Sequence, residues 1–152
     1  MTTQRKVLPK VVDAIQSYHP NCSIILFGSV ARHEERPSSD LDLQVFLPDD
    51  SVRSPWVDPT NRWQLKVMSE MDGIRIDVAW ETLDFFEAEV ETDGPFWIIS
   101  CGELICDPSG RAKPCLEKIR SWTDQNVELC QKLEAEFRVF KKKQLARRRE
   151  QT

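Results

Sequence analysis

The sequence predicts an α/β protein (α+β in its segregation of elements): a small mixed β-sheet with flanking helices and a long C-terminal helix. Three observations predict it. Residues 23–27, Ser-Ile-Ile-Leu-Phe, form an apolar run too short for a helix and closed by Gly28, the pattern of a buried strand. Residues 40–47 and 74–80 alternate apolar and other side chains with period 2, as half-buried strands do. Two stretches, 5–18 and 113–148, instead repeat their apolar residues at helical spacing.

In chain order, Leu8, Val11, Val12 and Ile15 share one helical face, with Pro9 tolerable only in the first turn. His19-Pro20-Asn21 ends that helix. After the strand 23–27, one short helical turn leads into a polar loop from Arg32 to Ser39. Leu41, Leu43, Val45 and Leu47 then line one strand face. Residues 48–59 hold three prolines and three aspartates and read as a loop. Trp63, Val67 and Met71 share a helical face, predicting a helix over 60–71, although the alternation of Trp63, Leu65 and Val67 leaves a hairpin open. Ile74, Ile76, Val78 and Trp80 mark the next strand, and 82–91 reads as helical. Residues 96–99 and 103–106 read as short extended pieces around Gly102, before a turn over Asp107-Pro108-Ser109-Gly110. From 113 to 148 a single long helix is expected. Its stripe of Cys130, Leu133, Phe137 and Phe140 continues toward Leu116 and Ile119 and requires a surface to lie on. One domain over 1–110, with a C-terminal helical extension over 111–152, is the economical division.

At 152 residues the chain is long enough to bury one core, and 30% charged against 40% hydrophobic residues excludes global disorder. No apolar run approaches a bilayer span, and a cytoplasmic protein is expected. The five cysteines (Cys22, Cys101, Cys106, Cys115, Cys130) form no CxxC pair, so buried free thiols are expected rather than a disulfide framework or a zinc site. The net charge of −4 conceals an asymmetry: residues 33–107 carry 18 acidic and 5 basic groups, while 108–152 carry 6 acidic and 12 basic. The acidic middle is where bound cations would relieve self-repulsion.

Three features combine there. Gly28-Ser29 follows directly on a buried strand; glycine admits close backbone approach, and N–H groups at a helix start favour an anion such as a triphosphate, although such a pair also occurs in ordinary turns. Asp40 and Asp42 stand at i and i+2 of a strand, with Cα atoms about 7 Å apart on the same face. Alone, they are equally readable as a solvated edge. Asp77 lies on the polar face of the other clear strand. If the two strands are neighbours, three carboxylates converge, a donor set suited to Mg²⁺. Two such ions about 3.5–4 Å apart serve in-line displacement at phosphorus.

Phe27-Gly28-Ser29-Val30-Ala31-Arg32, then Ser39-Asp40-Leu41-Asp42-Leu43, then Arg75-Ile76-Asp77-Val78 together resemble the signature of the DNA polymerase β-type nucleotidyltransferases, and most of all their small bacterial members, the minimal nucleotidyltransferases. The resemblance covers roughly residues 5–110. It implies a polymerase β palm-like fold and an enzyme that transfers a nucleoside monophosphate from a triphosphate, ATP being the expected one, to a hydroxyl of a protein, an RNA or a small molecule. It further implies that Asp40, Asp42 and Asp77 are catalytic and ligate two Mg²⁺ ions, with Asp77 as general base. Gly28, Ser29, Arg32 and Ser39 would hold the nucleotide, with a salt bridge to Glu34 or Glu35 as the other role for Arg32 and turn capping as the other role for Ser39. One departure stands out: many small members carry glycine after that arginine, where this chain has His33-Glu34-Glu35.

Small members often pair with a helical toxin and act as antitoxins, so the resemblance implies a toxin partner or a homodimer through the C-terminal helix. A competing reading is a binding module that neutralises a partner by occlusion, with weak or no catalysis. The basic tail, Arg138 to Arg149, permits nucleic-acid contact through phosphates, but equally stabilises a helix C-terminus. Trp56, in the polar loop, reads as a base-stacking residue or as a tryptophan tucked onto the surface.

Overall fold

The computed structural model describes residues 1–49, 66–92 and 95–150. The loop expected over 48–59, Trp56 within it and the first half of the helix expected over 60–71 lie, from residue 50 on, outside the described residues.

The elements run α1 (Thr3–Tyr18), β1 (Ser23–Phe27), α2 (Gly28–Ala31), β2 (Leu41–Leu47), β3 (Lys66–Met71), β4 (Ile74–Thr82), α3 (Leu83–Glu89), a 3-10 turn (Trp97–Ile99), β5 (Glu103–Cys106), α4 (Ala112–Gln125) and α5 (Val127–Glu150). The strands make one sheet in the order β3-β4-β2-β1-β5. β2 and β4 pair in parallel at its centre, and the other pairings are antiparallel, giving the mixed sheet expected.

The alternation along each strand builds two cores. One joins Val7, Leu8, Val11 and Ile15 of α1 to Ile24, Leu26, Leu41, Leu43, Val45, Ile76 and Val78. The other, on the opposite sheet face, joins Ile25 and Phe46 to Leu83 and Phe86 of α3 and to Cys115, Leu116 and Ile119 of α4. Phe46 and Phe86 stack with ring centroids 4.0 Å apart and planes 3° apart, both fully buried. Phe46→Ala removes that contact from the middle of the layer and is expected to cost about 3–5 kcal/mol, measurable by urea denaturation.

Several local expectations are corrected. The helix expected over 60–71 is, where described, the strand β3, joined to β4 by a two-residue turn with Asp72 at φ 52° and Gly73 at φ 80°. Positive φ at both positions defines the tight turn whose twist matches a hairpin, and Asp-Gly is a preferred pair for it. The segment 96–99 is not extended; it ends in the 3-10 turn. α1 starts at Thr3, capped by the Thr2 hydroxyl, so Pro9 lies inside the helix beyond its first turn. The single helix expected over 113–148 is two: Asn126 leaves the helical region (φ −130°, ψ 41°), and its side-chain amide donates to the Trp122 carbonyl at 2.8 Å. Asparagine competes for backbone carbonyls in this way and so breaks the helix. At the far end of the stripe Phe140 is 55% exposed rather than packed. All five cysteines are free, but Cys101 is exposed and Cys106 only half-buried. Among the described residues no helix is long and apolar enough to cross a membrane.

Candidate active site

The face of β2 that carries Phe46 into the second core carries Asp42 at its other end, because residues two apart share a face. β4 lies parallel to β2 with Asp77 in register opposite Asp42 and Val78 opposite Leu43. The two buried carboxylates, 8% and 5% exposed, are therefore neighbours on one sheet face. Asp40, just before β2, lines the same cavity as these two carboxylates and lies close enough to Asp77 for the two carboxyls to act on each other. The structure thus brings together all three aspartates singled out in the sequence.

Their charges oppose one another. Burial, the neighbouring Asp77 carboxyl and the charge of Asp42 push the Asp40 carboxyl up to about 6. Burial also pushes Asp42 up, and the Lys141 ammonium is the strongest influence opposing that shift. Carboxylates gathered this way stay ionised together only with a cation's help. Arg75, on the same face of β4, supplies part of it, its Nε donating to Asp77 Oδ1 at 3.0 Å. With Asp77 turned toward Arg75, the described residues hold no ready-made group of three metal-ligating side chains. The donor set still suits a hard divalent ion, since Mg²⁺ is bound by one or two carboxylates completed by water and phosphate oxygens rather than by an all-protein cage.

Gly28 opens α2 with φ +76°, and a Cβ there would fall 2.4 Å from Asp42 Oδ2. The glycine is required twice over, by its left-handed backbone and by the carboxylate that fills the space a side chain would need. Arg32 lines the cavity over these carboxylates, and its Nε donates to Glu34 at 3.1 Å, the salt bridge expected as its other role. Ser29 and Ser39 do not line the cavity. Ser39 instead closes the turn from Arg36, its hydroxyl accepting from the Arg36 N–H at 2.9 Å. His33 has φ +57°, the left-handed region that glycine adopts without strain and other residues rarely enter.

Two positioning residues escaped the sequence reading. Gln4, buried, donates through Nε2 to the carbonyls of Arg36 (2.8 Å) and Ser39 (3.0 Å), tying α1 to the loop that leads into Asp40. Arg5 donates to the Val30 carbonyl at 2.8 Å and to Glu103 at 2.9 Å, holding α2 against β5. Polar side chains on an amphipathic helix carry no signal of what they will meet.

A cavity of about 390 Å³ opens over the three carboxylates, within the range of small-molecule sites. Its floor is Gly28, Asp40, Asp42 and Asp77; Arg32, Trp97 and Cys101 form one side. Its roof is one face of α5, including Cys130, Phe137 and Lys141.

The family model described as "Nucleotidyltransferase domain" matches residues 8–100. No curated protein matches the chain. Among solved structures, the crystal structure of a toxin-antitoxin with AMP-PNP aligns over 90% of this chain and 98% of that one, at 15% identity and TM-score 0.47, a likeness too remote to bear on function.

Proposed function

We propose, from the premise that this chain belongs to the nucleotidyltransferase domain family, that it transfers a nucleoside monophosphate from a nucleoside triphosphate to a hydroxyl acceptor, breaking the bond between the α- and β-phosphates and releasing pyrophosphate. The observation that supports this reading best is the pairing of Asp42 with Asp77 across β2 and β4, beside Asp40, under a cavity of nucleotide size.

In this reading Asp40, Asp42 and Asp77 would hold Mg²⁺. Bound there, the metal would neutralise the phosphate oxygens and lower the barrier to in-line displacement at phosphorus. Gly28, on the cavity floor, would present its backbone to the triphosphate beside the Asp42 carboxylate that its missing side chain accommodates. Arg32 offers a guanidinium to a phosphate oxygen. Asp77, as general base, takes the proton of the attacking hydroxyl, and Arg75 keeps it oriented until then.

A second reading, a module that binds a partner protein by occlusion, is favoured by the exposed apolar side chains of α5: Val127, Leu129, Val139, Phe140 and Leu145 are each 44–55% exposed. Such side chains also suit a protein acceptor or a second copy of the chain.

Calorimetry with non-hydrolysable analogues of the four ribonucleoside triphosphates tests the first reading. Mg²⁺-dependent binding is expected, lost in Asp40→Ala/Asp42→Ala. If none of the four analogues binds with or without Mg²⁺, the enzyme reading gives way to occlusion.

A further inference from the structure

α5 faces the candidate active site with a stripe at spacings of four, three, four and four residues, Cys130, Glu134, Phe137, Lys141 and Leu145, the geometry of one helical face. The charges on this stripe are not equivalent. Glu134 is engaged by Arg138 at 2.8 Å. Lys141 forms no salt bridge among the described residues. Its ammonium lies 5.7 Å from the centroid of the Phe137 ring, which holds it over the cavity by cation–π attraction. From there it acts on the buried Asp42 across the cavity. Phe137 in turn meets Trp97 edge to face, centroids 6.3 Å apart at 90°, so the ring pair ties α5 to the segment preceding β5.

Lys141 is exposed at the cavity mouth; it shares a helix face with Cys130, which is 9% exposed, and lines the cavity that also contains Gly28 and Arg32. A compact ammonium on a flexible stem is suited to binding phosphate oxygens as a point charge. The aromatic pair beside it offers the ring surface on which a base stacks.

We propose that α5 is the roof of the nucleotide site, in which Lys141 binds the triphosphate from the side opposite Gly28 and the Trp97–Phe137 pair carries the base. This rests on the reading of the site as one for a nucleoside triphosphate.

The full chain is titrated calorimetrically with a non-hydrolysable ATP analogue and with AMP, both in excess Mg²⁺. Lys141→Ala is expected to weaken the analogue about tenfold and AMP less than about twofold, the contrast of a charge that meets the outer phosphates. Lys141→Arg should keep most of the affinity, and Phe137→Ala should weaken both ligands alike. If Lys141→Ala binds the analogue as wild type does while Asp40→Asn/Asp42→Asn does not, the roof is wrong and the nucleotide site stands. An equal loss for AMP and analogue in Lys141→Ala also overturns the role of Lys141, since it marks a displaced helix. If wild type binds neither ligand, the nucleotide reading fails and the roof with it.

Discussion

Asp42→Asn should abolish Mg²⁺-dependent nucleotide binding and transfer while leaving a folded protein that melts higher without metal. The two halves of this expectation share one cause. Asp42 is 8% exposed and faces Asp77 across the central parallel pair, with Asp40 close by. Its ionised form loses hydration and meets like charge, and Lys141 and the arginines offset only part of that cost. Asparagine has the same shape without the charge. Removing it should gain about 1 kcal/mol, or about 2–4 °C in melting temperature for a chain of this size. In the proposed reading the same change would also remove a charged metal donor, and losing several kcal/mol of transition-state stabilisation would lower turnover at least about a hundredfold. Differential scanning fluorimetry with and without Mg²⁺, beside calorimetric titration, checks both halves. A lower melting temperature in metal-free buffer would mean that the Asp42 carboxylate holds the fold together; unchanged Mg²⁺-dependent binding would remove it from the metal site.

Gly28→Ala should impair both stability and activity. An alanine at φ +76° is strained by about 1–3 kcal/mol. Its Cβ, 2.4 Å from Asp42 Oδ2, cannot be accommodated by a flexible surface group, since the atom it meets belongs to a buried carboxylate. Relief requires α2 or Asp42 to move, and displacement of a catalytic group by about 1 Å can cost about a hundredfold in rate. Urea denaturation and Mg²⁺-dependent nucleotide binding together test this. A variant that unfolds earlier yet binds nucleotide normally would show that Asp42 has room to readjust.

What the sequence disclosed of this site follows from period 2. β1, β2 and β4 announce themselves because each buries one or both faces, and the aspartates stand out because they interrupt that pattern on one side. β3 was less legible. Val67 and Met71 fit a helical face, and the stronger signal, Asp72-Gly73 between alternating segments, specifies the hairpin instead. The break at Asn126 was concealed because apolar spacing continues across it from Ile119 to Cys130, while the decision rests on one amide and one carbonyl. In sequence Lys141 is one cation of a basic tail; which of these lysines borders the cavity depends on how α5 crosses the domain, and no local pattern records a crossing. His33 shows the opposite case: a departure from the family pattern, visible in the sequence, that the backbone absorbs by holding histidine in a conformation where glycine is usual.

The family match ends at residue 100, whereas α5 begins at Val127. The three carboxylates and Gly28 therefore lie within the matched span, and the helix facing them across the cavity comes from a segment beyond it. Substitutions on α5 can accumulate without disturbing the strands that align the aspartates. The shape and charge of the cavity's upper wall can thus be changed by altering one helix while the sheet beneath it stays as it is.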